Sequence, residues 1–220
     1  TQQIVRIDRE VNEFVSAKTE NKIIDKINKI AGDFDALLLS DYRIGTVTDE
    51  IIDAAVKAAK KHGLFLAVDA QSDLKRFKNA DVITPNQPEA ERTLGYEIKD
   101  HKTLLKAGQE LLEKTQAKNI LITRGSDGMT LFEKSGTIWD IPAFNKTDVF
   151  DVTGAGDTVV GSFLLSACAG ATPLESAMIG NLAASIVVRH FGAAITTADE
   201  LSKTLQKLKL ENFDIRKEHK

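Results

Sequence analysis

Asp151-Val152-Thr153-Gly154-Ala155-Gly156-Asp157 leads a small-residue turn into an apolar, helix-like run that begins at Thr158. A helix opening here leaves its first amides without intrahelical partners, and its dipole adds partial positive charge to them. Such a place holds an anion. Gly154, Ala155 and Gly156 would supply the amides. Asp157 admits two readings: an acid that caps its own helix, or a carboxylate beside the anion that works as a base. Asn86 and Glu89 form a second candidate pair, an amide and a carboxylate three positions apart where a helix follows a strand. Their oxygens could face a hydrated Mg²⁺, which takes oxygen ligands and keeps its waters. The same spacing also makes a capping box with Asn86 as the cap, and spacing alone leaves both open.

Other chemistries are excluded more firmly. Gly125-Ser126-Asp127-Gly128 has no lysine and is too short for a P-loop, and no G-x-G-x-x-G follows a strand. His62, His101, His190 and His219 are scattered without metal-ligand spacing. Cys168 is the only cysteine, which rules out a disulfide framework or a thiolate cluster. It lies among small residues and is expected to be buried in a helix. The net charge of −3 provides no basic footprint for nucleic acid or an anionic membrane. No run is long and apolar enough to span a bilayer, and Thr1-Gln2-Gln3-Ile4 is no signal peptide. The chain reads as a soluble, cytoplasmic protein. Its 220 residues, 42% of them hydrophobic, can bury one sizeable core.

The elements that must position these residues follow from periodicity. Residues 3–9 alternate like a half-exposed strand, and 17–31 carry one apolar helical face through Ile23, Ile24, Ile27 and Ile30. Short apolar runs at 36–39, 64–68, 81–84 and 119–123 suit strands covered on both faces. Helices are expected at 48–62, 88–94 and 101–116, a hairpin at 129–133 and 137–141, and helices at 157–169, 174–190 and 197–209. The class is therefore α/β with a mostly parallel sheet. Ser40-Asp41, Asp69, Asn86 and Thr123-Arg124-Gly125 fall at strand ends, the edge where such sheets bind ligands.

Three motifs in order carry a resemblance. Residues 151–157 resemble the signature of the ribokinase-like, PfkB sugar-kinase family. Asn86-x-x-Glu89 looks like its N-x-x-E motif, and Ile122-Thr123-Arg124-Gly125-Ser126-Asp127-Gly128 is similar to its nucleotide loop. Within the family, Leu39-Ser40-Asp41-Tyr42, Thr84-Pro85-Asn86 and residues 2–8 look most like the members that phosphorylate D-glycero-D-manno-heptose 7-phosphate. The resemblance implies a three-layer fold and an ATP-dependent transfer to a sugar hydroxyl. Asp157 would be the base, the 154–156 amides the anion hole, and Asn86 and Glu89 the orienting groups for hydrated Mg²⁺. Residues 123–128 would hold the nucleotide, with Asn181 near adenine. Some members bind K⁺. Asp151 and Thr153 match its side-chain contributors, and Val187, His190, Gly192 and Thr196 match the rest, largely through carbonyls.

Two departures shape the expectations. Family members run longer, so residues 1–10 read as the remnant of a lid strand, 11–213 as the catalytic core and 214–220 as a charged tail, frayed at the end. An incomplete sheet would expose an edge that homo-oligomer contacts could cover. Gln71 stands where the heptose kinases carry lysine, and no H-x-G-H nucleotidyltransferase motif follows the kinase part. The alternatives are a nucleotide-binding pseudokinase or fragment without turnover, and a different acceptor such as a nucleoside or fructose 1-phosphate.

Overall fold

A computed structural model of the chain describes residues 5, 7, 9, 13–71, 73–144, 149–207 and 214–219. The lid-strand expectation over residues 1–10 lies largely outside them. Val5 and Ile7, which are described, belong to no strand and are exposed.

The fold is a seven-stranded sheet in sequence order between two helical layers. Strands β1 (Ala36–Asp41), β2 (Phe65–Ala70), β3 (Val82–Ile83) and β4 (Asn119–Thr123) run parallel. Strands β5 (Met129–Glu133), β6 (Thr137–Ile141) and β7 (Arg216–His219) continue antiparallel. The sheet is thus mixed, parallel only in its first half. The parallel strands are joined by helical crossovers, whereas β5 and β6 form the expected hairpin.

The continuous apolar runs explain the three layers. In β4, Ile120 and Ile122 join one core while Leu121 joins the other. In β2, Leu66 and Val68 face the first core and Ala67 the second. Helices α2 (Asp49–His62), α3 (Gln87–Leu94) and α4 (His101–Thr115) cover the first face. Helices α5 (Ala155–Cys168) and α6 (Pro173–Val187) cover the second through Val159, Phe163 and Ala177. The α2 limits match the sequence signals, with Thr48 accepting from the Ile51 amide and Gly63 left-handed at the stop. Helix α1 (Ala17–Ile30) packs on α2 yet buries no residue fully, and α7 (Ala198–Lys207) is likewise peripheral. No described helix is long and apolar enough to cross a membrane.

Two expectations are corrected. The charged tail is ordered as β7, the edge strand beside β6. His101 Nε2 lies 3.0 Å from Glu218 Oε1, and the Lys217 ammonium sits over the Trp139 ring at 5.2 Å, so its charges have partners that a frayed tail would lack. Cys168 is exposed, because α5 ends there at the open, N-terminal side of the sheet. At the opposite edge, β1 pairs only with β2 among the described strands, and Leu38 is exposed there.

Helix α4 offers a test of the packing. A β-carbon at Gly108 would overlap the ring of the wholly buried Phe132. Alanine would gain about 1 kcal/mol of helix propensity, but overpacking a filled core costs about 1–3 kcal/mol. Gly108→Ala is therefore expected to lower the urea midpoint by the equivalent of up to about 2 kcal/mol with an unchanged m-value. A raised midpoint would contradict the packing described.

Candidate functional site

The C-terminal ends of the parallel strands converge on the first turn of α5. Together they enclose a cleft of about 190 Å³, lined by Ser40, Asp41, Tyr42, Asp69, Gln71, Thr84, Asn86, Glu89, Thr123, Gly154, Gly156 and Asp157. A larger cavity of about 450 Å³ adjoins it, and Thr123 and Gly156 line both. The larger one is mostly apolar, with Met129, Val152, Val159 and Val188 among its walls. Such a volume suits a drug-sized ring system.

Helix α5 starts as the sequence requires. Gly154 is its N-cap with φ 77°, a left-handed conformation that costs glycine nothing. The Ala155 amide is spent on the Val152 carbonyl at 3.1 Å. The amides of Gly154, Gly156 and Asp157 have no partner among the described residues. Of the three expected anion-hole donors, Ala155 is therefore the one already occupied. Asp157 does not cap its helix. Its Oδ1 accepts a 2.8 Å hydrogen bond from the Tyr42 hydroxyl, which turns the carboxylate into the cleft.

Asn86 and Glu89 do form a capping box. The Glu89 amide donates to Asn86 Oδ1 at 2.9 Å, and the Asn86 amide to Glu89 Oε2 at 2.8 Å. Capping does not exhaust them, because both line the cleft and Glu89 Oε1 has no partner among the described residues. Burial pushes the Glu89 carboxyl above its ordinary range. Burial pushes Asp69 up to about 6, with the charges of Glu89 and then Asp157 adding to it. Four acids thus line the cleft: Asp41 is paired with Arg76, while Asp69, Glu89 and Asp157 face no cation among the lining residues. No three of their oxygens come within 4.8 Å of one another. That spacing suits a hydrated cation held through water rather than one chelated directly.

In the nucleotide-loop candidate, Thr123, Gly125, Ser126 and Gly128 line the larger cavity. Asp127 and Arg124 do not, and Arg124 Nη2 instead faces Asp140 at 3.6 Å. A β-carbon at Gly128 would strike the backbone of Ile141 and Ala143, so glycine lets the loop close against β6. Asn181 also lines this cavity, with its amide nitrogen donating to the Pro142 carbonyl at 2.8 Å.

The cation-loop candidates are only partly assembled. Asp151 Oδ1 accepts from the Thr153 amide and hydroxyl, and Oδ2 from the Gly192 amide. These bonds hold the Asp151 carboxyl below the usual range. The Val187 carbonyl accepts from the His190 amide, the His190 residue is exposed, and the Thr196 hydroxyl bonds Glu200 at 3.0 Å in the first turn of α7.

In the sequence Asp69 stands out only as a polar residue at a strand end, and Tyr42 only within the Leu39–Tyr42 stretch. Their place beside Asp157 depends on tertiary structure. Behind Tyr42, the buried Asp41 is anchored by Arg76 Nη1 at 3.3 Å, and Arg76 also bonds Asp49 and the Val47 carbonyl. Gln71 stands at the cleft, and its carbonyl accepts from Arg92 at 3.0 Å.

Comparison with known proteins agrees with this geometry. Residues 2–200 match the model of the pfkB family carbohydrate kinases. The "Bifunctional protein HldE" of Pelobacter propionicus is 38% identical over 97% of this chain, and that of Geobacter sulfurreducens 36% over 93%. The chain spans only 45% and 42% of those two proteins. Among solved structures, Arabidopsis thaliana ribokinase complexed with ribose and ATP superposes with a TM-score of 0.73 at 22% identity, over 90% of this chain and 63% of that one. Escherichia coli phosphofructokinase-2 in complex with potassium gives 0.70 at 21% identity, over 82% and 60%.

The buried Asp69 yields a prediction with a definite sign. Its folded-state value lies above the unfolded one, so its contribution to stability is complete at low pH and is lost as pH rises through about 6. Asp69→Asn, which carries no charge to bury, is expected to be more stable than the parent at about pH 8, by up to about 3 kcal/mol, with the gap closing by about pH 4. Urea unfolding at both pH values measures this. A parent at least as stable as the variant at the higher pH would refute the buried-charge assignment.

Proposed function

The chain belongs to the pfkB family of carbohydrate kinases, and we propose that it transfers the γ-phosphoryl group of ATP to a hydroxyl of a sugar or sugar phosphate. The observation that carries this reading is the junction of the two cavities at Thr123 and Gly156. An adenosine moiety suits the apolar cavity, which would leave the phosphates over the first turn of α5 and an acceptor hydroxyl in the acidic cleft. The fold is shared with a ribokinase complexed with ribose and ATP.

In this reading Asp157 takes the proton of the acceptor hydroxyl as its oxygen bonds to the γ-phosphorus. The bond from that phosphorus to the β-bridging oxygen breaks, and ADP leaves. Phosphoryl transfer needs positioning and charge stabilisation more than covalent help. The free amides of Gly154, Gly156 and Asp157 would stabilise the charge that develops, as oxyanion donors do. Glu89 and Asp69, with Asn86 beside them, would hold a hydrated Mg²⁺, which when bound supplies charge neutralisation for the phosphates. The 123–128 loop and Asn181 shape the nucleotide cavity. K⁺ at the Asp151–Thr153–Gly192 loop would act by fixing that loop below the anion hole. Consumption of ATP fits a cytoplasmic location.

The edge of β1, which no described strand covers, supports self-association through the sheet. Light scattering after size exclusion is expected to give a mass above that of one chain, and a strict monomer would remove this part of the reading.

The activity is tested with a panel of acceptors, namely D-glycero-D-manno-heptose 7-phosphate, fructose 1-phosphate and a nucleoside, with MgATP and detection of ADP. At least one should be phosphorylated. Asp157→Asn should lower turnover by at least about 10²–10⁴-fold while calorimetric binding of MgATP survives. Undiminished turnover would remove the base assignment. MgATP binding with no acceptor turned over would favour a nucleotide-binding module instead.

A further inference from the structure

Nothing in the base reading explains why Asp157 faces the cleft. An acid in a helix's first turn ordinarily stays with its own helix, where free amides attract it. Here the carboxylate is drawn away by a phenol 115 residues earlier in the chain. The Tyr42 hydroxyl donates to Asp157 Oδ1 at 2.8 Å, and Oδ2 has no partner among the described residues.

The chain that delivers Tyr42 is anchored. Asp41, only 3% exposed, ends β1 and is fixed by two bonds, from the Arg43 amide at 3.0 Å and Arg76 Nη1 at 3.3 Å. Arg43 then adopts φ 62°, which turns the chain sharply after Tyr42. The ring itself remains half exposed and contributes little to the core. A side chain aimed by a partly buried ion pair and itself half exposed is placed for its hydroxyl.

We propose that Tyr42 is a positioning residue: it grips Asp157 by Oδ1 and so presents Oδ2 to the acceptor hydroxyl. The inference rests on the reading of Asp157 as the base. The grip persists at neutral pH, since the hydrogen bond to Asp157, followed by burial, pushes the Tyr42 phenol above its ordinary range and keeps it a donor.

Tyr42→Phe removes one oxygen and leaves the ring. It is expected to lower kcat about 10–100-fold, the equivalent of one hydrogen bond to a charged group. KM for MgATP should stay within about twofold, because the nucleotide cavity is untouched. An ultraviolet titration supplies a measurement independent of turnover. Tyr96 is the other of two tyrosines, so the Tyr96→Phe background reports Tyr42 alone. Its phenol is expected to ionise above the ordinary value and to fall back towards it when Asp157→Asn is added. Loss of turnover in Asp157→Asn together with parental kcat in Tyr42→Phe would overturn this proposal and leave the base reading standing. Turnover surviving in Asp157→Asn would overturn both. A Tyr42 phenol that titrates the same with Asp157 or Asn would also overturn the proposal, whatever the kinetics.

Discussion

The first amides of α5 cannot be satisfied by the helix they open. Much of the architecture turns on where that helix begins. Gly154 adopts a left-handed cap that spares its Cβ penalty, and Ala155 spends its amide on Val152, leaving three donors at the mouth of the cleft. The parallel half of the sheet delivers strand ends to the same point because every crossover returns the chain in one direction. In the antiparallel half, β5 to β7, only β6 runs in that direction, and its last residue, Ile141, lies level with Thr123 through Met129. This half supplies a wall for the larger cavity and a seat for the loop at Gly128.

Electrostatics makes the cleft a demanding place. Asp69, Glu89 and Asp157 share it, and burial raises the first two before their mutual repulsion is counted. Such crowding destabilises the empty protein and is a common mark of sites that work on charged ligands. The neighbouring Asp41 makes the contrast plain. It is more buried than any of the three, yet Arg76 and a backbone amide neutralise it, so it serves as an anchor.

Dual use recurs at the site. Asn86 and Glu89 complete a capping box and still present oxygen to the cleft. Asn181 lines the apolar cavity while its amide pins Pro142. Asp151 organises its own loop through Thr153 and Gly192. For Asn86, Glu89 and Asn181 a local hydrogen bond fixes the rotamer of a side chain that lines a ligand-sized space. The capping reading and the ligand reading of such residues are therefore compatible, since a carboxylate has more lone pairs than its cap consumes.

Local patterns in the chain determined most of the scaffold. Apolar runs named the four parallel strands, Thr48 and Gly63 bounded α2, and the small residues before Thr158 placed the opening of α5. These signals are legible because propensity, capping and periodicity act within a few residues. Tertiary structure decided what those rules cannot reach. It paired the charged tail with β6 through Trp139 and His101, exposed Cys168 at a helix end, and removed Ala155 from the free amides. It also showed that Asp157 does not cap its helix: a cap and a cleft-facing acid look identical along the chain, and here the carboxylate instead accepts from Tyr42, the residue that follows β1. A contact between residues so far apart in sequence depends on the register of strands and helices between them, and no short stretch of residues contains that information.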